Sequence, residues 1–535
     1  MTTNEKDAEA GEAETEATEE KCVKDDKNAD VEDGLETVKL EPQDPEDPEK
    51  QADDLLDRES LLLDRLRTTF HQNKWFLIGS AVFLILLFVI IALAISGPRY
   101  PRLTEMLVDG RYINAVTSCG IVQGLLDEGE FVFHGIPYAM PPVGERRFAP
   151  AEPLHRLDAC WNNTFKAWHN ESELGPPNCW QYFRNGSIDG SEDCLTLDVY
   201  TRKVRYDAPL PVVFLVSTET LVGGRTWRPA RGMARQRDVV FVQPRFRLGP
   251  LGFLAASALS RSAYPPRSGN YALSDLLAAL DWVRINIEHF GGDPKSVTIV
   301  GHRGGASLVA ALTALPKRRG AITNRPFKQT FEIIGTTAHV EASPELFTRK
   351  DWTQQANFVN HVRGSVLGSQ SVPQGLANEV LARYKPPSWP MLAAMISDMR
   401  TVCPLYASAR RIATIAAANE RTAKYSSAVH FYVATQPRNT SVGFVADVGS
   451  DIETILGLYE ARSPEQKRYL AAMQNFFYRF VWHGDLPTGS TGMERSTALP
   501  QNVIVVGQDL AIQSTYQNCD FWIQRELASK YGRVE

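Results

Sequence analysis

Residues 75 to 95, WFLIGSAVFLILLFVIIALAI, run for twenty-one positions without a charge. A helix of about 20 residues spans the ~30 Å hydrocarbon core of a bilayer. A run this apolar on every side has no polar face to turn towards water. The run therefore divides the chain into an acidic tail (1–74), a transmembrane segment (75–95) and a large domain (103–535).

The two flanks differ in charge. Residues 1–74 carry 24 Asp/Glu against 10 Lys/Arg, a formal −14, which leaves +8 for the remainder of a chain whose total is −6. Residues 1 to about 55, as in EAGEAETEATEE and EPQDPEDPEK, bury too little apolar surface to offset their ordering entropy and read as disordered. LLDRESLLLDRLRTTF (55–70) spaces leucines as a short amphipathic juxtamembrane helix, and DRESLL (57–62) within it resembles an acidic dileucine sorting signal. The mildly basic remainder has no basic-aromatic clusters, which argues against nucleic acid; acidic surfaces, glycans or an ordinary solvated face remain open.

Arg65, Arg67 and Lys74 precede the run and Arg99, Arg102 and Arg111 follow it, so charge alone does not orient the span. Two other features do. The sequons at Asn162, Asn170, Asn185 and Asn439 all follow it. Of seven cysteines only Cys22 precedes it; six follow, an even number suited to disulfides in an oxidising compartment. The expectation is a type II protein of the plasma membrane. Its tail is cytoplasmic, its span is an uncleaved signal anchor, and its glycosylated C-terminal domain is extracellular.

From about residue 103 the pattern is α/β. PVVFLV (211–216), VVFVQP (239–244) and SVTIVG (296–301) read as buried strands. SDLLAALDWVRINIEHF (274–290) reads as a helix starting at a Ser274 N-cap and stopping at GGDP. Strand, turn and helix in this order predict a mostly parallel central sheet with helices on both faces.

These segments carry a resemblance. GNYALSDLLAALDWVRINIEHFGGDPKSVTIVGHRGGA, FHGIPYAMPPVGERRFAPAEP, SEDCLTLDVY, FRLGPLGFL, DMRTVCPL and CDFW, spread from about 118 to 522, are similar to the cholinesterase/carboxylesterase family. The resemblance implies an α/β-hydrolase domain. It implies disulfides Cys179–Cys194 and Cys403–Cys519, with Cys119 and Cys160 remaining as a third pair, and structural ion pairs Arg147–Glu192 and Arg247–Asp275. No metal or cofactor is expected.

The same resemblance locates a catalytic triad, and the residues there are wrong for it. Acyl transfer needs a nucleophile, a base, an acid to orient the base, and N–H donors for the oxyanion. VTIVGHRGGASLV (297–309) has the layout of the Gly-x-Ser-x-Gly elbow, but its centre is Arg303, a guanidinium with no lone pair to attack a carbonyl. Ser307 lies one helical turn on. The base position in FVADVGSDIETILG (444–457) falls on Val448, with no histidine between His430 and His483. The acid position in IIGTTAHVEAS (333–343) falls on Val340 or Glu341, beside His339. The oxyanion turn, Gly-rich in the family, reads STET (217–220), with Gly223 and Gly224 arriving late. Arg303 is a candidate for a buried ion pair with Glu341.

These losses imply a pseudoenzyme. With the span ahead of the domain, the resemblance is to the adhesion molecules of the cholinesterase-like group. It implies heterophilic adhesion to a secreted or cell-surface protein such as an immunoglobulin-domain partner, in an oligomeric state the sequence does not fix. A membrane-anchored carboxylesterase and a small-ligand-binding pseudoenzyme are the alternatives. One departure stands out: only about 37 residues separate Arg303 from the acid segment, fewer than the family has. The sheet is thus expected to be shortened between residues 315 and 330, in a trimmed domain, a splice form or an incomplete gene model.

Overall fold

The computed structural model describes residues 79–80, 82–89, 107–154, 160–168, 176–183, 185–204, 208–262, 267–314, 332–368, 375–420, 429–484, 503–516 and 518–525. The chain divides into two compact units, Met1–Arg99 and Tyr100–Glu535. In the first, residues 79–80 and 82–89 are helical, and apolar side chains such as Phe83 and Phe88 are exposed. Among the described residues no helix is long and apolar enough to cross a membrane. The tail, the juxtamembrane segment and the rest of the 75–95 run lie outside them.

The second unit is α/β. Its strands in chain order are β1 (Tyr112–Thr117), β2 (Gly120–Asp127), β3 (Glu130–Pro137), β4 (Phe165–Lys166), β5 (Gln181–Tyr182), β6 (Ile188–Asp189), β7 (Thr196–Thr201), β8 (Leu210–Thr218), β9 (Val240–Pro244), β10 (Gly292–Arg303), β11 (Glu332–Thr337), β12 (Val429–Ala434), β13 (Arg438–Thr440), β14 (Gly443–Val445), β15 (Val503–Val506) and β16 (Leu510–Gln513). Eight form one sheet, ordered β1-β2-β3-β7-β9-β8-β10 with β4 beside β2; a second has the order β11-β12-β15-β16.

The single, mostly parallel sheet expected from sequence is therefore corrected, among the described residues, to two larger mixed sheets, with β5–β6 and β13–β14 as separate antiparallel pairs. β1, β2 and β3 follow one another through turns too short for a crossover, so they pair antiparallel. Apart from the two-residue β4 beside β2, parallel pairing comes where helices intervene, between β8 and β9, β8 and β10, β11 and β12, and β12 and β15. The sheets part between β10 and β11, the interval that is short in sequence; residues 315–331, where a missing strand is expected, lie outside the described residues. Strand burial reflects the break. β8, LPVVFLVST, is buried at every position, whereas β10 is partly exposed at nearly all of them. Val213 and Leu215 of β8 share a core with Ala434, Ile504, Val506 and the phenylalanines of helix Pro464–His483.

The helix expected to start at Ser274 starts at Tyr271, after Asn270 at the N-cap position, whose side chain makes no capping hydrogen bond. Ser274 is used in tertiary packing instead: its hydroxyl accepts from the Ala151 N–H at 2.7 Å. The helix runs through a 3₁₀ turn, Ile287–Phe290, and stops at Gly291 with φ 78°.

Candidate functional site

β8 and β10 run in parallel, with Thr218 opposite Arg303, so their C-terminal ends deliver the STET segment and the elbow to one place. β10 ends at Arg303 and helix Gly304–Ala314 starts at the next residue. Arg303 adopts φ 53°, a left-handed conformation uncommon for a residue with a Cβ. The turn keeps the sharp strand-to-helix form of a nucleophile elbow. Its flanking glycines are required by packing: a Cβ on Gly305 would lie 2.0 Å from the Val216 carbonyl oxygen, and one on Gly301 would lie 2.6 Å from Ala306 Cα.

The chemistry of the elbow has been rebuilt around Glu219. Arg303 Nη1 lies 3.9 Å from Glu219 Oε1, with both side chains largely buried. Glu219 Oε2 accepts from the Arg225 N–H at 3.2 Å. The Glu219 carbonyl accepts from the Gly304 N–H at 3.3 Å. That N–H follows the elbow centre, where a hydrolase would aim it at an oxyanion. Thr220 covers the same spot, since a Cβ on Gly304 would come within 2.8 Å of its carbonyl carbon. Thr220 and Gly223 exchange backbone hydrogen bonds, and the Thr220 hydroxyl accepts from the N–H groups of Val222 and Gly223.

Alternating charges continue from this point. Arg225 Nη2 lies 3.6 Å from Glu453 Oε1, Arg438 Nη1 donates to Glu453 Oε2 at 2.6 Å, and Arg438 holds Asp447 through Nε and Nη2 at 2.7 and 3.0 Å. Burial alone would lower the Arg438 guanidinium; Asp447 and then Glu453 raise it above the usual arginine value. The chain of charges thus runs from the elbow to the loop that carries Val448. Trp227 bridges the same two places, with its ring 4.4 Å from that of His302 at 72° and within 3.5 Å of where a Gly449 Cβ would stand. Burial lowers the His302 pKa, against opposing pulls from Asp451, Glu453 and Glu219.

The remaining positions are structural in geometry. Val448 is half-buried, just before Gly449, the N-cap of helix Ser450–Ile455. Val340 packs against the C-terminal core. The expected Arg303–Glu341 pair is corrected: Arg303 pairs with Glu219, while Glu341 Oε1 accepts from the Thr401 hydroxyl at 2.6 Å and its N–H donates to Ser397. His339 joins the two loops, its N–H donating to the Ala446 carbonyl and its Nδ1 accepting from the Ala446 N–H at 3.1 Å. Burial lowers its pKa to about 4, against a small opposing pull from Asp447. Ser307 lies on the elbow helix, and His430 stands opposite Ile333 on β12.

The structure forms disulfides Cys119–Cys160, Cys179–Cys194 and Cys403–Cys519. Arg147 Nε donates to Glu192 at 2.7 Å, and Arg247 holds Asp275 through Nε and Nη2, the two being 4% and 0% exposed. Asn162, Asn185 and Asn439 are exposed; Asn170 lies outside the described residues. Sequence reading missed Glu219, Arg225, Trp227, Arg438 and Glu453. The one signal present was a carboxylate in STET, where a glycine turn was anticipated.

A model of the carboxylesterase family matches residues 113–326. Neurotactin of Drosophila melanogaster is 36% identical over an alignment covering 85% of this chain and 61% of that protein. Residues 113–326 thus match the carboxylesterase family, and the chain is similar to neurotactin over most of its length. Para-nitrobenzyl esterase of Bacillus subtilis is 36% identical over 38% of the neurotactin-like chain and 41% of its own length; fumonisin B1 esterase of Sphingopyxis macrogoltabida is 38% identical over 38% and 37%. The chain thus spans about three fifths of its neurotactin relative and about two fifths of these esterases. A solved PNB esterase superposes with a TM-score of 0.53 at 20% identity, over 77% of this chain and 99% of that one, which shows the α/β-hydrolase fold.

Proposed function

We propose that this protein is a catalytically silent, neurotactin-like type II membrane glycoprotein that mediates heterophilic cell adhesion or recognition. The observation that carries the silence is the occupied elbow: the Gly304 N–H is bonded to the Glu219 carbonyl and Arg303 is paired with the Glu219 carboxylate. A substrate carbonyl meets no nucleophile there, the Gly304 N–H that would face its oxyanion is already bonded, and Val448 offers no lone pair to take a proton. Loss of the nucleophile alone costs on the order of 10⁶ in turnover in a serine protease.

The uncharged run 75–95, the sequons and the disulfides support a cytoplasmic 1–74, a signal-anchor span and an extracellular 103–535, and the likeness to neurotactin supports a cell-surface protein ligand. An immunoglobulin-domain ligand is part of this reading. Two measurements test it. Full-length protein treated with a fluorescent organophosphonate should label no more than a mock preparation, and cells expressing it should aggregate only with cells that display a partner. Covalent labelling above mock would overturn the silence; absence of any ligand in a binding screen of secreted and surface proteins would overturn the adhesion role.

A further inference from the structure

Between the elbow loop and β9 the chain reads RTWRPARGMARQR, residues 225 to 237, with five arginines, no lysine and no carboxylate. The rebuilt elbow and the core use two of them. Arg225 lies over the Trp227 ring at 5.2 Å and reaches Glu453, and Arg237 lies over Tyr478 at 5.2 Å and is bonded to Gln474. The other three stand at the surface, as does Arg225 at 65% exposure. Arg231 is 64% exposed and its pair with Asp127 spans 3.6 Å. Arg228 and Arg235 are exposed, and among the described residues neither pairs with a carboxylate through its side chain. The adjoining β2–β3 turn brings Asp127 and Glu128; Glu130 accepts from the Ala234 N–H, Glu453 stands at Arg225, and Asp238, next in the chain, pairs with Arg202.

The backbone beneath these three is held in place. The Ala230 N–H donates to the Leu456 carbonyl, and the Ala234 N–H to Glu130 Oε2 at 3.0 Å. Gly232 takes φ 75°, and a Cβ there would stand 3.7 Å from Arg235 Nη2, so the Arg235 side chain folds back along the segment. Of the apolar residues of the stretch, Trp227, Pro229, Met233 and Ala234 are buried and Ala230 is half-buried. A protein-protein interface of ordinary composition needs an apolar centre; this row has none. It offers guanidinium forks, which bind sulfate and carboxylate oxygens two at a time, on a fixed base and beside like charges that a repeating anion would neutralise.

We propose that Arg228, Arg231 and Arg235 form a binding row for a linear sulfated polysaccharide. This goes beyond the adhesion reading and does not depend on it. The test uses full-length protein in non-ionic detergent and immobilised heparin as the probe. Wild type should be retained at physiological salt. Arg228→Ala/Arg231→Ala/Arg235→Ala should bind at least about tenfold more weakly, and the slope of log affinity against log salt should fall by about one per arginine removed. The triple Arg→Lys variant should recover part of the affinity but not all of it. Arg363→Ala, which removes a guanidinium bonded to Asn378, should leave binding unchanged. Thermal unfolding of each variant separates lost binding from lost fold. Retention unaffected by the triple alanine variant would overturn the proposal, as would equal competition by poly-glutamate, which would assign the row to an acidic protein.

Discussion

The Arg247–Asp275 pair and the Arg303–Glu219 pair both join an arginine to a carboxylate in this domain, and they have different characters. Arg247 and Asp275 are closed off from solvent, with contacts of 2.6 to 3.2 Å and an added Arg247 N–H to Asp275 Oδ2 bond. Arg303 is 27% exposed and touches Glu219 at 3.9 Å. The first ties helix Tyr271–Asn286 to the chain after β9. The second occupies a turn whose shape is already set by Gly301 and Gly305. Removing one member of the buried pair leaves an uncompensated charge, whereas the elbow keeps its shape through its glycines whatever stands at its centre. Asp275→Ala should therefore have the largest effect: it strands a buried guanidinium and should cost about 3–5 kcal/mol of unfolding free energy. Denaturant unfolding measures it, and a loss below about 1 kcal/mol would erase the distinction.

Two buried titrating groups sharpen the comparison by pH. Burial raises the Asp398 carboxyl to about 7, only partly opposed by the Tyr384 hydroxyl that donates to it at 2.8 Å. The folded state then holds a proton that the unfolded chain releases near 3.8, so this group's contribution is present at low pH and is lost as pH rises towards 7. His339 acts oppositely. Its folded-state pKa is lowered from 6.5 to about 4, so its contribution is present above 6.5 and is lost as pH falls towards 4. Each slope is about 1.4 kcal/mol per pH unit at most. Unfolding of Asp398→Asn should lose the first dependence, and His339→Gln the second. Unchanged pH profiles would show that neither group titrates differently on folding.

The scaffold was legible in the sequence because its residues sit in extended motifs. FRLGPLGFL and the helix carrying Asp275 name their own partners by resemblance, and Cys179 and Cys194 likewise. Its second buried pair was not: Arg245 holds Asp198 at 2.8 and 2.9 Å, and neither stands out in DVYTRK or QPRFR. The losses at Arg303, Val448 and STET were equally plain, since a missing nucleophile is read one letter at a time. Their replacements were not. Glu219 meets Arg303 only because β8 and β10 end side by side, and Arg438 meets Asp447 only because β13 and β14 form a hairpin. Such pairings belong to strand register, which a local pattern does not encode. Counting residues led to the expectation of a shortened sheet, not of a division into two, and the antiparallel first half was not anticipated because the turns joining β1 to β3 lack Asn-Gly or Asp-Gly pairs.

The smallest effect tests whether the elbow is still under strain. Arg303 pays for its φ of 53° whatever its side chain touches; for a residue with a Cβ that cost is on the order of 1 kcal/mol. Arg303→Gly removes the cost and also loses an ion pair worth about 0–1 kcal/mol at this exposure, so the two changes should nearly cancel. Arg303→Ala loses the pair and keeps the strain. The glycine variant should accordingly be more stable than the alanine variant by about 1 kcal/mol, and Arg303→Ser should behave like alanine and gain no esterase activity while the Glu219 carbonyl still occupies the Gly304 N–H. An alanine variant as damaging as Asp275→Ala would make Arg303 a scaffold residue after all, and the two pairs would then be alike.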